Sequence, residues 1–399
     1  MPTKNSRRSA PAGRRSMTPT ASRSSRSSVP AAKERPVRFA VVGLGHIAQG
    51  AVLPAFAHAK NRAALTALVS DDPVKLRSLA RRYGVEHTYS YDEYQDCLES
   101  GAIEAVYIAL PNHLHRDFAV KAAETGRHVL VEKPMALKES DCRDMIRAAE
   151  ENEVRLMVAY RLHFAPANLA AIEIAKSGKL GDLRYFNSSF SMQVKAGDIR
   201  LRKETGGGTL WDIGIYCINA ARYLFRDEPV AGFAYRAHGD RERFDEVEEM
   251  TGAVLRFPRE RVASFVTSFG AADCASYEIV GTKGSLRVEN AYEYAEPARH
   301  VLTIGERTTR RSFPKTDQFA AELIEFSDCV RSGRNPEPGG LEGLIDVVTI
   351  RALYESAETG KTIDLNLPER ESRPDGRQEI RRPAVAKEPD LVHSQDPTR

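Results

Sequence analysis

Lys133 closes a short apolar run, Val129-Leu130-Val131-Glu132-Lys133-Pro134, and so stands at the end of a buried strand, where a ligand is often held. Further along, Gly206-Gly207-Gly208-Thr209-Leu210-Trp211-Asp212-Ile213-Gly214-Ile215-Tyr216 opens a helical pattern. On it Asp212, Tyr216, Asn219 and Tyr223 recur at i, i+4, i+7 and i+11, one polar stripe on one face. Leu210, Ile213, Cys217, Ala221 and Leu224 fill an apolar face. The three glycines would let backbone pack against a flat ligand. These residue types suit oxidation of an alcohol, which needs a hydride taken from carbon and a proton taken from oxygen. A tyrosine can serve as the acid/base, although its ordinary pKa is about 10. A nearby cation stabilises the phenolate and lowers that value. Lys133 would supply the charge and bond the nicotinamide ribose. Asp212 would orient substrate hydroxyls or tune Tyr216. Arg161 and His163 follow the strand Leu156–Tyr160 and would complete the pocket at a domain junction. A structural salt bridge is the competing reading of Arg161.

A second motif would hold the hydride acceptor. Gly43-Leu44-Gly45-His46-Ile47-Ala48 directly follows the strand Phe39-Ala40-Val41-Val42 and precedes a helical pattern. The glycines at 43 and 45 permit a tight turn and close approach of backbone to a pyrophosphate, and Ala48 takes the third small position. The helix N-terminus then offers free N–H groups to phosphate. The end of the next strand separates NAD from NADP, because a carboxylate there binds the ribose 2′-hydroxyl and repels a 2′-phosphate. Ser70 occupies that place, followed by Asp71 and Asp72, then Lys75 and Arg77. A hydroxyl with cations nearby favours NADP. Asp71 taking the ribose is the NAD alternative, and helix capping before Pro73 is the other role open to the two acids.

These motifs need a scaffold, and the chain supplies an alternating one. Apolar strands are expected at Val37–Val42, Ala64–Ser70, Glu104–Leu110, His128–Glu132 and Arg155–Ala159, with amphipathic helices at Pro73–Tyr83, Asn112–Thr125 and Lys138–Glu151. Gly84 and Gly126 stand at helix C-caps. This alternation predicts a parallel, doubly wound α/β domain over 37–160. The pattern then changes. Helices are expected at Pro166–Ser177, Gly208–Phe225, Asp317–Ser332 and Leu341–Thr359. Alternating strands are expected at Val230–His238, Thr251–Phe257, Arg261–Phe269, Ser276–Gly281, Ser285–Glu289 and Val301–Gly305. Residues 161–365 thus read as an α+β domain with a large, mostly antiparallel sheet, one face of it open to a partner.

The 399 residues are 42% hydrophobic and 28% charged, enough for two globular domains with buried cores. No apolar run approaches the roughly 20 residues of a membrane helix. Five scattered cysteines without a C-x-x-C pair argue against disulfides or a zinc site and suit a reducing, cytoplasmic setting. Residues 1–36 carry nine Lys or Arg and one acid, and with few large apolar residues they read as a solvated basic tail. The Arg7-Arg8 and Arg14-Arg15 pairs lack the apolar stretch of an export signal, and a nucleic-acid arm is the weaker reading. Residues 366–399, balanced in charge, read as a second loose tail.

Taken in order, Val42-Gly43-Leu44-Gly45, Leu110-Pro111-Asn112-His113-Leu114-His115, Glu132-Lys133-Pro134 and the Gly206–Tyr216 run resemble the glucose–fructose oxidoreductase/inositol dehydrogenase (Gfo/Idh/MocA) family over residues 37–365. Most relatives carry histidine at the place of Tyr216 and aspartate at that of Asn219. The tyrosine version, with Tyr160-Arg161, resembles the glucose–fructose oxidoreductase branch. The resemblance implies a Rossmann domain and NADP, which in that branch can stay bound while two sugars react in turn. It further implies a sugar or polyol substrate, a pyranose C1 hydroxyl first among them, and a homodimer or homotetramer joined through the open sheet. It carries cofactor contacts onto Gly43, Leu44, Gly45, His46, Ile47, Ser70, Lys75, Tyr91, Leu110, Pro111, Asn112, His115, Glu132, Lys133 and Arg161. Substrate contacts fall on Lys133, Arg161, Asp212 and Tyr216, with Lys133, Tyr216 and Asp212 catalytic. It also implies a cis bond at Lys133-Pro134. Chemistry at another carbon of a cyclic polyol or dihydrodiol is the rival within enzymes. A cofactor sensor is the rival outside them, and it would need neither Lys133 nor Tyr216.

Overall fold

The computed structural model describes residues 35–370, 372–387 and 389–398, so nearly all of the basic amino-terminal segment lies outside the described residues. Six strands make the first sheet: β1 (Val37–Val42), β2 (Ala63–Val69), β3 (His87–Tyr89), β4 (Ala105–Ile108), β5 (His128–Glu132) and β6 (Leu156–Ala159). Their order is β3-β2-β1-β4-β5-β6 and every pairing is parallel, the dinucleotide-binding arrangement. β1 is buried on both faces, with Val37, Phe39 and Val41 in one core and Ala40 and Val42 in the other. Two-sided burial is why it reads as an unbroken apolar run. Helices α1 (Leu53–Ala59), α2 (Pro73–Tyr83), α3 (Tyr94–Glu99), α4 (His115–Glu124) and α5 (Glu139–Glu151) connect the strands. The short β3 and α3 carried no readable signal.

Helix α6 (Pro166–Lys176) leads into the second sheet: β7 (Leu183–Ser191), then, after α7 (Ile215–Phe225), β8 (Ala231–Ala237), β9 (Met250–Phe257), β10 (Arg261–Ser268), β11 (Cys274–Gly281), β12 (Gly284–Glu289), β13 (Ala298–Ile304), β14 (Arg307–Phe313) and β15 (Ile363–Asp364). The order is β14-β13-β12-β11-β7-β10-β9-β8-β15, antiparallel except where β7 meets β10. Strand β7 is central yet escaped the sequence reading. Its inward face is Phe186, Ser188 and Phe190, and the buried Ser188 hydroxyl is satisfied by Tyr292 Oη at 2.6 Å and the Ser276 carbonyl at 3.0 Å. Edge strand β14 escaped for the opposite reason, since Arg307, Arg310 and Arg311 guard it with charge. Tyr185, Tyr235, Val254, Val262 and Val266 stand exposed on the open face. Helix α8 (Gln318–Ser332), which follows this sheet in sequence, packs back on the first one through Phe319, Leu323 and Phe326. Helix α9 (Gly340–Thr359) packs on α5, α7 and β8. The Lys133–Pro134 peptide is cis.

The reading of 366–399 as a loose tail is overturned. Arg370 meets Glu337 at 2.6 Å and also pairs with Glu342, while Arg373 reaches Glu228 at 2.9 Å. Beyond them Gly376 N–H donates to Glu173 (3.1 Å), and Arg382 O accepts from Asp317 N–H (3.0 Å). The physical reason is non-local: folding gathers acids from separate elements into a site that takes two arginines. Among the described residues all five cysteines are free, and no helix is long and apolar enough to cross a membrane.

One ion cluster ties α8 to β1. Glu104 accepts from Arg331 (3.0 and 3.2 Å) and from the backbone and side chain of Arg38 (3.1 and 3.2 Å). Burial pushes its carboxyl up, but Arg331 and Arg38 more than offset this and hold it down at about 2. Its folded value lies below the unfolded one, so its stabilisation is present above the ordinary glutamate value and is lost as pH falls towards 2. Glu104→Gln should therefore lower the melting temperature at neutral pH and leave a shallower loss between pH 4.5 and pH 2, read by thermal melts across that range. Parallel pH profiles for the two proteins would contradict it.

Candidate active site

The two helices that flank the cleft both begin with a wide π-turn. Ala48–Val52 precedes α1, and Leu210–Gly214 precedes α7. Such turns are frequent at functional sites. The sequence reading placed regular helix here; Asp212 instead lies within the second of these turns.

Lys133 Nζ donates to Asp212 Oδ1 at 3.0 Å and to the Asp212 carbonyl at 2.7 Å. The same nitrogen lies 4.9 Å from the centre of the Tyr216 ring. Asp212 Oδ2 accepts from Arg200 Nε at 2.8 Å, and Arg200 also pairs with Asp198 at 3.1 Å. Burial raises the Asp212 carboxyl, but Lys133 and Arg200 together hold it well below the usual carboxylate range. Burial likewise opposes charge on Lys133, and Asp212 and Tyr216 overcome it, holding the ammonium above its ordinary value. Arg200 had no sequence signal, because it sits in a single 3₁₀ turn, Ile199–Leu201, within a long connection. The carbonyls of Arg200 and Arg202 accept from Gly208 and Gly207, which brings that loop against the helix start.

Arg161 is nearly buried and lies 5.1 Å from the Tyr216 ring and 5.2 Å from that of Tyr294. Its guanidinium donates to Gln318 Oε1 and to the Tyr292 carbonyl, both at 2.5 Å. No salt bridge to it is found among the described residues, so the structure sides with placement against Tyr216. Lys133 and Arg161 thus flank one phenol with two positive charges. Glu132 accepts from Tyr107 at 2.7 Å, and burial raises its carboxyl.

Four expectations change. His163 does not complete the pocket: it is buried, with Nε2 2.8 Å from Asn219 Oδ1. The polar stripe divides, because α-helix rises about 1.5 Å per residue and its later turns run into the interior. Asn219 there donates to Glu342 and Asp346, and Tyr223 accepts from Asn168. His115 is no open cofactor contact, because its two ring nitrogens each lie 2.9 Å from a carbonyl, those of Pro134 and Leu110. It braces both motif turns from behind. The triple glycine is demanded by protein rather than by a flat ligand. A Cβ at Gly206 would overlap Leu137, one at Gly207 the Arg200 carbonyl, and one at Gly208 the Tyr354 hydroxyl. Asn112 Nδ2 donates to Gly206 O at 2.9 Å, tying the Leu110-Pro111-Asn112 turn to this loop.

The phosphate loop fits a dinucleotide. Gly43 has φ +91°, and a Cβ there would press on the Ala109 carbonyl, so the turn requires glycine. A Cβ at Gly45 would meet no protein atom, which leaves open space beside the loop where a pyrophosphate would approach. Leu44 is buried beneath the loop, while His46 and Ile47 are half-buried at the helix start. Ser70 Oγ, at the end of β2, accepts from Asp72 N–H at 3.2 Å. Asp71 Oδ1 takes the Tyr91 N–H (2.7 Å), and Asp72 Oδ1 caps α2 through the N–H groups of Val74 and Lys75. The two acids that left NAD open therefore have structural work. Burial pushes the Tyr91 phenol up to about 12.

Residues 37–160 match the model of the oxidoreductase family with an NAD-binding Rossmann fold, and residues 168–287 match the GFO/IDH/MocA C-terminal domain. D-xylose 1-dehydrogenase [NADP(+)] of Haloarcula marismortui is 32% identical over 342 residues, covering 84% of this chain and 95% of its own. The dTDP-3,4-didehydro-2,6-dideoxy-alpha-D-glucose 3-reductase of Actinomadura kijaniata is 30% identical, covering 82% and 97%. Among solved structures, the aldose-aldose oxidoreductase from Caulobacter crescentus, complexed with glycerol, aligns with TM-score 0.79 at 36% identity over 83% of this chain and 100% of that one. With both domains matched and the lysine–tyrosine pair assembled between them, the chain belongs to the Gfo/Idh/MocA family of oxidoreductases.

Proposed function

We propose that this protein is an NADP-dependent sugar oxidoreductase that takes a hydride from the C1 hydroxyl carbon of a pyranose and yields a lactone. The observation that carries this reading is the convergence of Lys133 on Asp212 and on the Tyr216 ring. Bound NADP would supply the hydride acceptor, held by Gly43–Ile47, Ser70, Lys75 and Tyr91 and by the Leu110–Asn112 turn. Tyr216 takes the hydroxyl proton, with Lys133 and Arg161 set against its ring. Asp212, pinned by Lys133 and Arg200, keeps the ammonium aimed at the reacting hydroxyl. The relatives named for D-xylose and for aldose–aldose chemistry support an aldose over other polyols. The exposed apolar residues of the open sheet are the surface that a second copy would cover.

The test is the near-ultraviolet absorbance of reduced cofactor, followed with NADP and single aldoses and then with a second sugar as acceptor. Reduction with aldoses and a lactone product are expected. Turnover only with inositols or dihydrodiols would move the reaction to another carbon.

A further inference from the structure

The carboxyl-terminal segment does more than pack. It crosses the nucleotide edge of the first domain and ends on the second. Arg82 donates to the Asp390 carbonyl at 2.7 Å. The Gln49 side-chain amide forms a strand-like pair with Val392, accepting from its N–H (2.7 Å) and donating to its carbonyl (2.9 Å). The same amide donates to the Leu44 carbonyl of the phosphate loop at 2.8 Å. Gln49 is fully buried, so this amide links the loop to the segment with no solvent between. His393 follows with φ +44°, a conformation that few non-glycine residues adopt. Its Nδ1 lies 3.1 Å from Asp72 Oδ2, the oxygen left over from capping α2. Further on, Lys195 donates to the carbonyls of Asp396 (3.0 Å) and Pro397 (2.9 Å). Lys195 lies three residues before Asp198, the partner of Arg200.

The segment therefore reaches the pyrophosphate loop through Gln49 and touches the ribose-reading turn and the loop that leads to Asp212. Asp72 and Ser70 share one turn, with Asp72 N–H on Ser70 Oγ. A 2′-phosphate at Ser70 would stand near the Asp72 carboxylate, an unfavourable pairing unless a hydrogen-bond donor covers the acid. His393 is the side chain placed on that oxygen. The Lys75 N–H lowers the Asp72 carboxyl more than burial raises it, and His393 adds to the lowering, so the acid stays ionised beside the imidazole.

We propose that residues 390–398 are part of the NADP site, and that His393 is a specificity-determining residue that screens Asp72 and contacts the 2′-phosphate. This rests on the reading of the chain as an NADP enzyme. The same segment, tied to Gln49 and Lys195, also slows release.

The test uses the full chain, a chain ending at Lys387 that keeps the Arg370, Arg373 and Arg382 anchors, and His393→Gln. Trp211, the only tryptophan, adjoins Asp212, so energy transfer from it reports bound NADPH or NADH without any sugar. The shortened chain should release NADPH at least about tenfold faster in stopped flow, the factor expected for about 1.4 kcal/mol of lost contact. His393→Gln should weaken NADPH about tenfold with NADH unchanged, as for loss of one charge-assisted bond to phosphate. His393→Arg should restore the preference. Parental release rates and an unchanged NADPH/NADH ratio in both variants would overturn this inference alone. A full chain that binds NADH but not NADPH would overturn the NADP reading with it.

Discussion

Tyr216→Phe is expected to lower kcat by about two to four orders of magnitude, the usual worth of a positioned acid/base. The change deletes one oxygen and keeps the ring that packs on Phe190 (5.6 Å) and Tyr292 (5.9 Å). Lys133 and Arg161 still face an aromatic surface, so the stacking that fixes them survives. The loss should therefore fall on the proton step alone. NADPH affinity, read by energy transfer from Trp211, should stay near the parental value. Equal falls in kcat and kcat/KM would mark an interaction made only in the transition state. Turnover within a few-fold of the parent would remove Tyr216 from the proton step.

Lys133→Met should cost a comparable amount, about two to three orders of magnitude, the scale for one preorganised donor at a developing charge. The deficit has a second part that Tyr216→Phe lacks. Asp212 would keep Arg200 but lose the ammonium that bonds both its side chain and its carbonyl. A buried carboxylate with one partner gone is destabilising, so the melting temperature should fall as well. Adding Asp212→Asn to Lys133→Met should recover part of that fall without recovering turnover, because the uncompensated charge is removed while the donor stays absent. Simple additivity of the two changes would show that the residues act independently and would contradict the pairing.

Much of the positioning was legible in the chain. Strand β1 and its glycine turn are local: two-sided burial writes an apolar run, and a positive φ at Gly43 writes a glycine. Lys133 was legible because a charged pair at the end of an apolar strand is a sharp local break. Tyr216 and Asp212 were legible because helical spacing is short-range. The same spacing misplaced Asn219 and Tyr223, since periodicity reports a face but not how far along that face solvent reaches.

The sequence by itself determined the parallel domain, the glycine turn after β1 and the ends of strand and helix that carry Lys133 and Tyr216, because each is encoded within a few residues by burial, backbone freedom or helical period. Only the tertiary structure decided that Arg200 anchors Asp212, that His115 and His163 are held inside, and that the last residues bind the body of the protein. Those contacts join groups far apart in the chain, such as Arg370 with Glu337 and Val392 with Gln49. Their stabilisation depends on desolvation and geometry that exist only once the sheets have formed, so no local pattern records them.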